Sequence, residues 1–208
     1  MRRILGAVAM LAVASAPVLA QQTTRSPVGF GAVGGISVPV GDLGDISGTG
    51  WHLGAIASYM PGLGVLGGRA DIVYHSFGAG RTPFLGSTIE SDISAITGTA
   101  NLVLTFAGTD PAAGGTTYRP YVIGGLGFYN MRVDQRCVGT GCPGGTSASG
   151  SNTEFGFNAG GGIRFAFIGM DAFAEARFHR VGSSIPGGST QGQQAASFIP
   201  ISVGLNFR

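Results

Sequence analysis

The chain ends Ser197-Phe198-Ile199-Pro200-Ile201-Ser202-Val203-Gly204-Leu205-Asn206-Phe207-Arg208. In an extended chain successive side chains point to opposite faces, so Ile199, Ile201, Val203, Leu205 and Phe207 share one side and Pro200, Ser202, Gly204 and Asn206 the other. A terminal strand with one apolar face and a free edge invites aggregation. Pairing it with the first strand of an all-β chain closes a barrel and removes the edge.

Working back from that strand, further stretches alternate in the same way. Val28 to Val38 sets Val28, Phe30, Ala32 and Ile36 against Gly29, Gly31, Gly35 and Ser37. Trp51 to Met60 sets Trp51, Leu53 and Tyr59 against His52 and Ser58. Val65 to Phe77 opposes Leu66, Ile72 and Tyr74 to Arg69, Asp71 and His75, and Asp92 to Phe106 opposes Ile96, Leu102 and Leu104 to Thr97, Thr99 and Asn101. Glu154 to Phe167 places Phe155, Phe157 and Ile163 opposite Glu154, Asn158 and Arg164, while Asp171 to Val181 places Ala172, Ala174 and Phe178 opposite Glu175, Arg177 and His179. Tyr118 to Met131 is a strand of open facing, since Val122, Leu126 and Phe128 compete with Tyr121, Ile123 and Tyr129. Long connections over 39–50, 78–91, 133–152 and 182–196 alternate with shorter ones over 61–64, 107–117 and 169–170, the pattern of a barrel with long external loops and short internal turns.

Composition agrees. Charged residues make up 11% of the 208 residues, against an average near 25% in soluble domains, and there are 39 glycines. No stretch after residue 20 is long and apolar enough for a spanning helix, and a membrane protein without helices must be a closed barrel, because backbone polar groups in lipid have no water to bond. Lysine is absent, and without Arg2 and Arg3 the arginines equal the acids, so nothing attracts nucleic acid. Met1-Arg2-Arg3, the apolar run Ile4 to Ala14 and Pro17-Val18-Leu19-Ala20 read as a signal peptide over residues 1–20, leaving a barrel over 21–208.

An alternating last strand that finishes on an aromatic, here Phe207, resembles the closing strand of bacterial outer-membrane barrels. Arg119-Pro120-Tyr121-Val122 with Gly124-Gly125-Leu126-Gly127-Phe128-Tyr129 resembles a strand of the small OmpA/OmpX-like barrels. Arg208, after the aromatic, departs from the pattern. The resemblance implies an all-β, eight-stranded antiparallel up-and-down transmembrane barrel, resident in the outer membrane after export through the inner membrane. It implies contact with outer-membrane lipid, and a last strand that signals to the barrel assembly machinery. Alternation alone also fits a soluble lipocalin-like barrel with an apolar interior. Against that stands a polar face of Gly, Ser, Thr and Asn with few charges, which suits a narrow lumen better than a soluble surface.

Several motifs could be mistaken for chemistry. Gly29-Phe30-Gly31-Ala32-Val33-Gly34 spells G-x-G-x-x-G, but a dinucleotide site needs a helix next, and Ile36-Ser37-Val38-Pro39 is β-branched and then broken. Cys137 and Cys142, in a Gly/Ser-rich external loop without histidine, read as a small-loop disulfide in an exported protein. His52, His75 and His179 all fall on the polar face, and none is placed to attack a lipid. The expected lumen network is Arg69, Asp71, His75, Asn101, Asn158, Arg164, Glu175, Arg177 and His179. No cofactor, metal or enzymatic activity is expected. A two-residue Gly169-Met170 turn would set Arg164 across from Glu175, Gly162 across from Arg177 and Gly160 across from His179. The function expected is a structural or surface-exposed, adhesive role through the external loops, with no extracellular ligand named. Carriage of a small apolar molecule through a lateral opening and lipid modification are the alternatives.

Overall fold

The computed structural model describes residues 26–61, 65–84, 87–108, 117–138, 147–167, 170–182 and 196–208. The expected signal peptide, residues 1–20, and the 169–170 turn as a unit lie outside the described residues. In chain order the elements are β1 (Val28–Val40), α1 (Asp42–Ile46), β2 (Gly48–Tyr59), β3 (Leu66–Gly78), β4 (Gly80–Phe84), β5 (Ser87–Thr105), β6 (Thr117–Val138), β7 (Ser147–Phe167), β8 (Met170–Val181) and β9 (Ala196–Phe207).

Every strand pairs antiparallel with its neighbours in the sequence, apart from β4, which is a short hairpin arm on β5. The ring closes twice over: β3 steps past β4 to pair with β5, and β9 returns to β1 with Phe30 opposite Phe207 through to Val40 opposite Ser197. The result is the expected closed eight-stranded barrel. The start of β1 and the end of β9 meet at one mouth. Gly41, with φ of 61°, takes the left-handed turn that carries β1 into α1, where a side chain would be strained.

All the alternations read from the sequence hold. Outward-facing apolar residues form a continuous belt, with Ile72 and Leu102 each 68% exposed. The open facing of β6 is resolved with Tyr121, Ile123 and Tyr129 inside and Val122, Leu126 and Phe128 outside, because the two tyrosine hydroxyls find buried polar partners in the lumen. At the terminal end the belt is edged by Tyr59, Tyr118 and Phe207, and at the far end by Trp51, Tyr74, Phe128 and Phe155, with ring centroids 5.6 Å apart in both the Trp51–Tyr74 and Phe128–Phe155 pairs. Beyond that far edge the next outward positions turn polar: Thr49, Ser76, Ser94, Asn130, Thr153 and Arg180. Along β7 the belt runs from Phe155 to Phe165, which at roughly 3.3 Å per residue and a tilt of about 40° rises about 25 Å, the height of a membrane barrel's apolar band.

Two expectations are corrected. The register of β7 on β8 is shifted by two residues: Gly162 faces Glu175, Gly160 faces Arg177, Asn158 faces His179, and Arg164 faces Phe173, not Glu175. The shift keeps every side chain on its expected face. It also lets the long inward side chains of β8 cross bare glycine backbone: a Cβ on Gly160 would fall against Cγ of Arg177 at 2.8 Å. The second correction concerns the connections over 78–91 and 133–152, expected as loops. β5 already begins at Ser87, β6 runs on to Val138 and β7 starts at Ser147, so three strands rise past the belt as a sheet that satisfies its own backbone.

Candidate functional site: the closed lumen

The interior is stacked in layers. Towards the terminal end, Ile56, Met60, Val103, Ile123 and Phe173 pack with the ring of Tyr121, and Val33 and Val73 continue the same apolar cluster up the wall to the histidines. Above Tyr121, β3 and β8 contribute alternating charges that meet across the barrel. Arg69 grips Glu175 with two parallel hydrogen bonds, Nη1 to Oε2 at 2.9 Å and Nη2 to Oε1 at 2.6 Å. Its Nε lies 2.8 Å from Asp71 Oδ1. Arg177 closes the square, with Nη1 2.9 Å from Asp71 Oδ2 and Nε 2.9 Å from Glu175 Oε1. Two guanidiniums and two carboxylates thus alternate around a ring with no net charge. Burying four charges is costly unless each is paired and hydrogen-bonded. Here Tyr121 donates to Glu175 at 2.7 Å, Asn101 donates to Asp71 at 2.7 Å, Thr99 donates to the same Asp71 oxygen at 3.3 Å, and Asn158 donates to Asn101 at 2.8 Å.

The next layer holds the histidines. Ser37 Oγ lies 3.1 Å from Nδ1 of His52 and 2.8 Å from Nδ1 of His75; His52 Nε2 meets Ser202 at 2.9 Å, and His75 Nε2 meets Thr97 at 3.4 Å. Thr97 donates to the Val73 carbonyl, so it must accept from His75 Nε2–H. His75 Nδ1 then accepts from Ser37, Ser37 accepts from His52 Nδ1–H, and Ser202 donates to His52 Nε2. One direction of donation runs through all five side chains, with both imidazoles neutral. His179 Nδ1 pairs with the Tyr129 hydroxyl at 3.0 Å. Above these, Phe77, Phe198, Ile93, Val181 and Leu43 of α1 cap the lumen, with Phe198 stacked on His179 at 4.9 Å and edge-on to Phe77 at 5.4 Å.

Eight of the nine expected network residues therefore meet in two touching layers. Arg164 does not join them: it faces inward at the terminal mouth, its guanidinium 5.4 Å from the centre of the Tyr121 ring. The sequence reading missed Tyr121 and Tyr129, whose facing it left open, and Ser37, whose bridge depends on three strands coming together. Cys137 sits at the outer end of β6; Cys142, its expected partner, lies outside the described residues. Among the described residues no three His, Cys, Asp or Glu side chains are grouped to hold a metal ion.

No protein-family model matches the chain, and no curated protein does. Among solved structures it is similar to Neisserial surface protein A, with a TM-score of 0.57 and 17% identity over 88% of this chain and 97% of that one. It is also similar to a major outer membrane protein from Thermus thermophilus, with a TM-score of 0.53 and 11% identity over 86% of this chain and 98% of that one. Its fold is the small outer-membrane β-barrel fold. Within that small-barrel fold, the layers described above fill the middle of the lumen with side chains, as eight strands lead one to expect.

The other polar surface is the sheet that rises past the belt. On its belt-side face three rows align across β5, β6 and β7: Ser94, Arg132 and Ser151; Asp92, Asp134 and Ser149; Glu90, Arg136 and Ser147. Arg132 pairs with Asp134 at 2.9 Å and Arg136 with Asp92 at 3.4 Å, beside an open cleft of about 430 Å³. The hydrogen bond from Arg132 to Asp134 holds that guanidinium above its ordinary pKa.

Proposed function

We propose that this chain is an integral outer-membrane barrel with a closed lumen, acting at the cell surface through the sheet formed by the outer ends of β5, β6 and β7 together with the external connections. The observation that carries this reading is the continuous apolar belt with an aromatic edge at each end, since a soluble lipocalin-like barrel has no use for Ile72, Leu102 and Val203 on its outside. Outer-membrane lipid covers the belt, and the β9 strand ending in Phe207 is the segment the barrel assembly machinery reads. The exposed sheet, with paired charges and a row of serines, suits reversible polar contacts with an extracellular partner, and so an adhesive or structural role.

The same reading makes the chain no enzyme. His52, His75 and His179 are turned inward, away from the apolar belt, and engaged with Ser37, Ser202, Thr97 and Tyr129. One observation favours carriage of an apolar molecule as a second reading: a recess of about 530 Å³ on the belt over β8, β9 and β1, where Ala32, Gly34, Ala172 and Gly204 leave a depression between Leu53, Phe165 and Leu205. Membrane fractionation tests the main reading. The protein should pellet with outer membranes and resist alkaline extraction; recovery from the soluble periplasm would sink it.

A further inference from the structure

Directly opposed like charges on paired strands are destabilising. At the mouth where β1 begins and β9 ends, Arg119 of β6 stands directly across from Arg164 of β7, and both fall on the inward face. A third guanidinium, that of Arg208, approaches Arg164 closely enough to act on it electrostatically, and so does Asp171. Asp171 is already engaged by Arg208 at 2.8 Å. Among the described residues, then, the side chains of Arg119, Arg164, Arg208 and Asp171 stand at this mouth. Deeper carboxylates offer no relief, since Asp71 and Glu175 are consumed by Arg69 and Arg177.

Of the two opposed arginines Arg164 is held in place, while Arg119 is exposed at the mouth. Arg164 lies over the ring of Tyr121, whose hydroxyl is tied to Glu175. The stem of Arg119 crosses Gly108, where a Cβ would come within 2.8 Å of its Cγ. Two arginines directly opposed in register on the inward face, neither in an ion pair with a carboxylate among the described residues, suit the binding of negative charge at an open mouth. A guanidinium presents a planar fork that matches the paired oxygens of a phosphate or carboxylate.

We propose that the terminal mouth of the barrel is an oxyanion site in which Arg119 and Arg164 clamp one phosphate-type group, with Arg208 and Asp171 forming its back wall. The group belongs either to a free anion entering the mouth or to a lipid headgroup at the membrane edge marked by Tyr118 and Phe207. The site does not depend on the surface role proposed above, and it can be tested without a membrane.

The full chain, refolded in zwitterionic detergent, is unfolded thermally in inorganic phosphate and in chloride of equal ionic strength. Phosphate should raise the midpoint saturably, as a ligand of the folded state does. Arg119→Gln and Arg164→Gln should each weaken the apparent affinity by about tenfold, the worth of one charge-assisted hydrogen bond. Arg119→Gln should also leave the phosphate-free protein at least as stable as wild type, because it removes a repulsion; a merely structural arginine would give the opposite sign. A parallel comparison in phosphatidylglycerol and phosphatidylcholine vesicles locates the source: a gain confined to phosphatidylglycerol and lost in Arg119→Gln assigns the site to a lipid phosphate. Equal midpoints in phosphate and chloride with no vesicle effect, or a phosphate response that persists unchanged in both variants, overturns the proposal.

Discussion

Glu175 accepts hydrogen bonds or ion pairs from Arg69, Arg177 and Tyr121, and so anchors the lumen. Glu175→Gln keeps its size and removes its charge, leaving two buried guanidiniums to share Asp71. Breaking a buried ion pair on one side costs about 3–5 kcal/mol, so the variant should lose that much in urea unfolding from micelles, whereas the rim substitution Glu154→Gln should change stability by less than about 0.5 kcal/mol. The direction of donation through the histidine layer makes a second residue-scale prediction. In ¹⁵N-histidine spectra His52 should carry its proton on Nδ1 and His75 on Nε2; the reverse assignment for either would contradict the chain that ends on the Val73 carbonyl. Neither residue shows its partner in the sequence, since Ser37 and His75 lie on different strands and meet only when the barrel closes.

For the elements, facing was legible and register was not. Alternation gives the face of a strand from its own residues, but the pairing of β7 on β8 depends on which residues form the turn, and a slip of two preserves every facing. The choice between the two registers was made by packing: Gly160 and Gly162 stand where Arg177 and Glu175 must cross, and Glu175 then reaches Arg69 on the far wall. Paired cysteines report this directly. In a background without Cys137 and Cys142, Ile163→Cys with Ala174→Cys should form a disulfide on oxidation, and Phe165→Cys with Ala174→Cys should not, since a bridge needs Cα atoms within about 7 Å. Gly160→Val should fail to fold, its side chain having no space beside Arg177. The outer parts of β5, β6 and β7 escaped notice for a different reason. Past the belt both faces of a strand meet water, so Ser147 to Thr153 carries no apolar alternation to read, and its strand character comes from pairing with β6 alone.

Taken as a whole molecule, the barrel should behave as a closed, membrane-embedded cylinder. Unheated, it should migrate faster on a denaturing gel than after boiling, because the closed sheet stays compact; identical mobility would count against closure. Purified protein in a planar bilayer should give no large, steady conductance, because the charge ring, the histidine layer and the Phe77–Phe198 cap lie in series along the axis. The sequence by itself determined the strand count, the in-and-out assignment of nearly every residue and the apolar belt, because these are local consequences of period-two geometry acting on side-chain polarity. Tertiary structure alone decided who touches whom across the lumen: that Arg69 takes Glu175, that Ser37 joins two histidines, and that Arg164 is left facing Arg119 at the mouth. Those contacts join residues more than a dozen to more than a hundred positions apart, and their geometry is set by strand stagger and closure, quantities that no single strand contains.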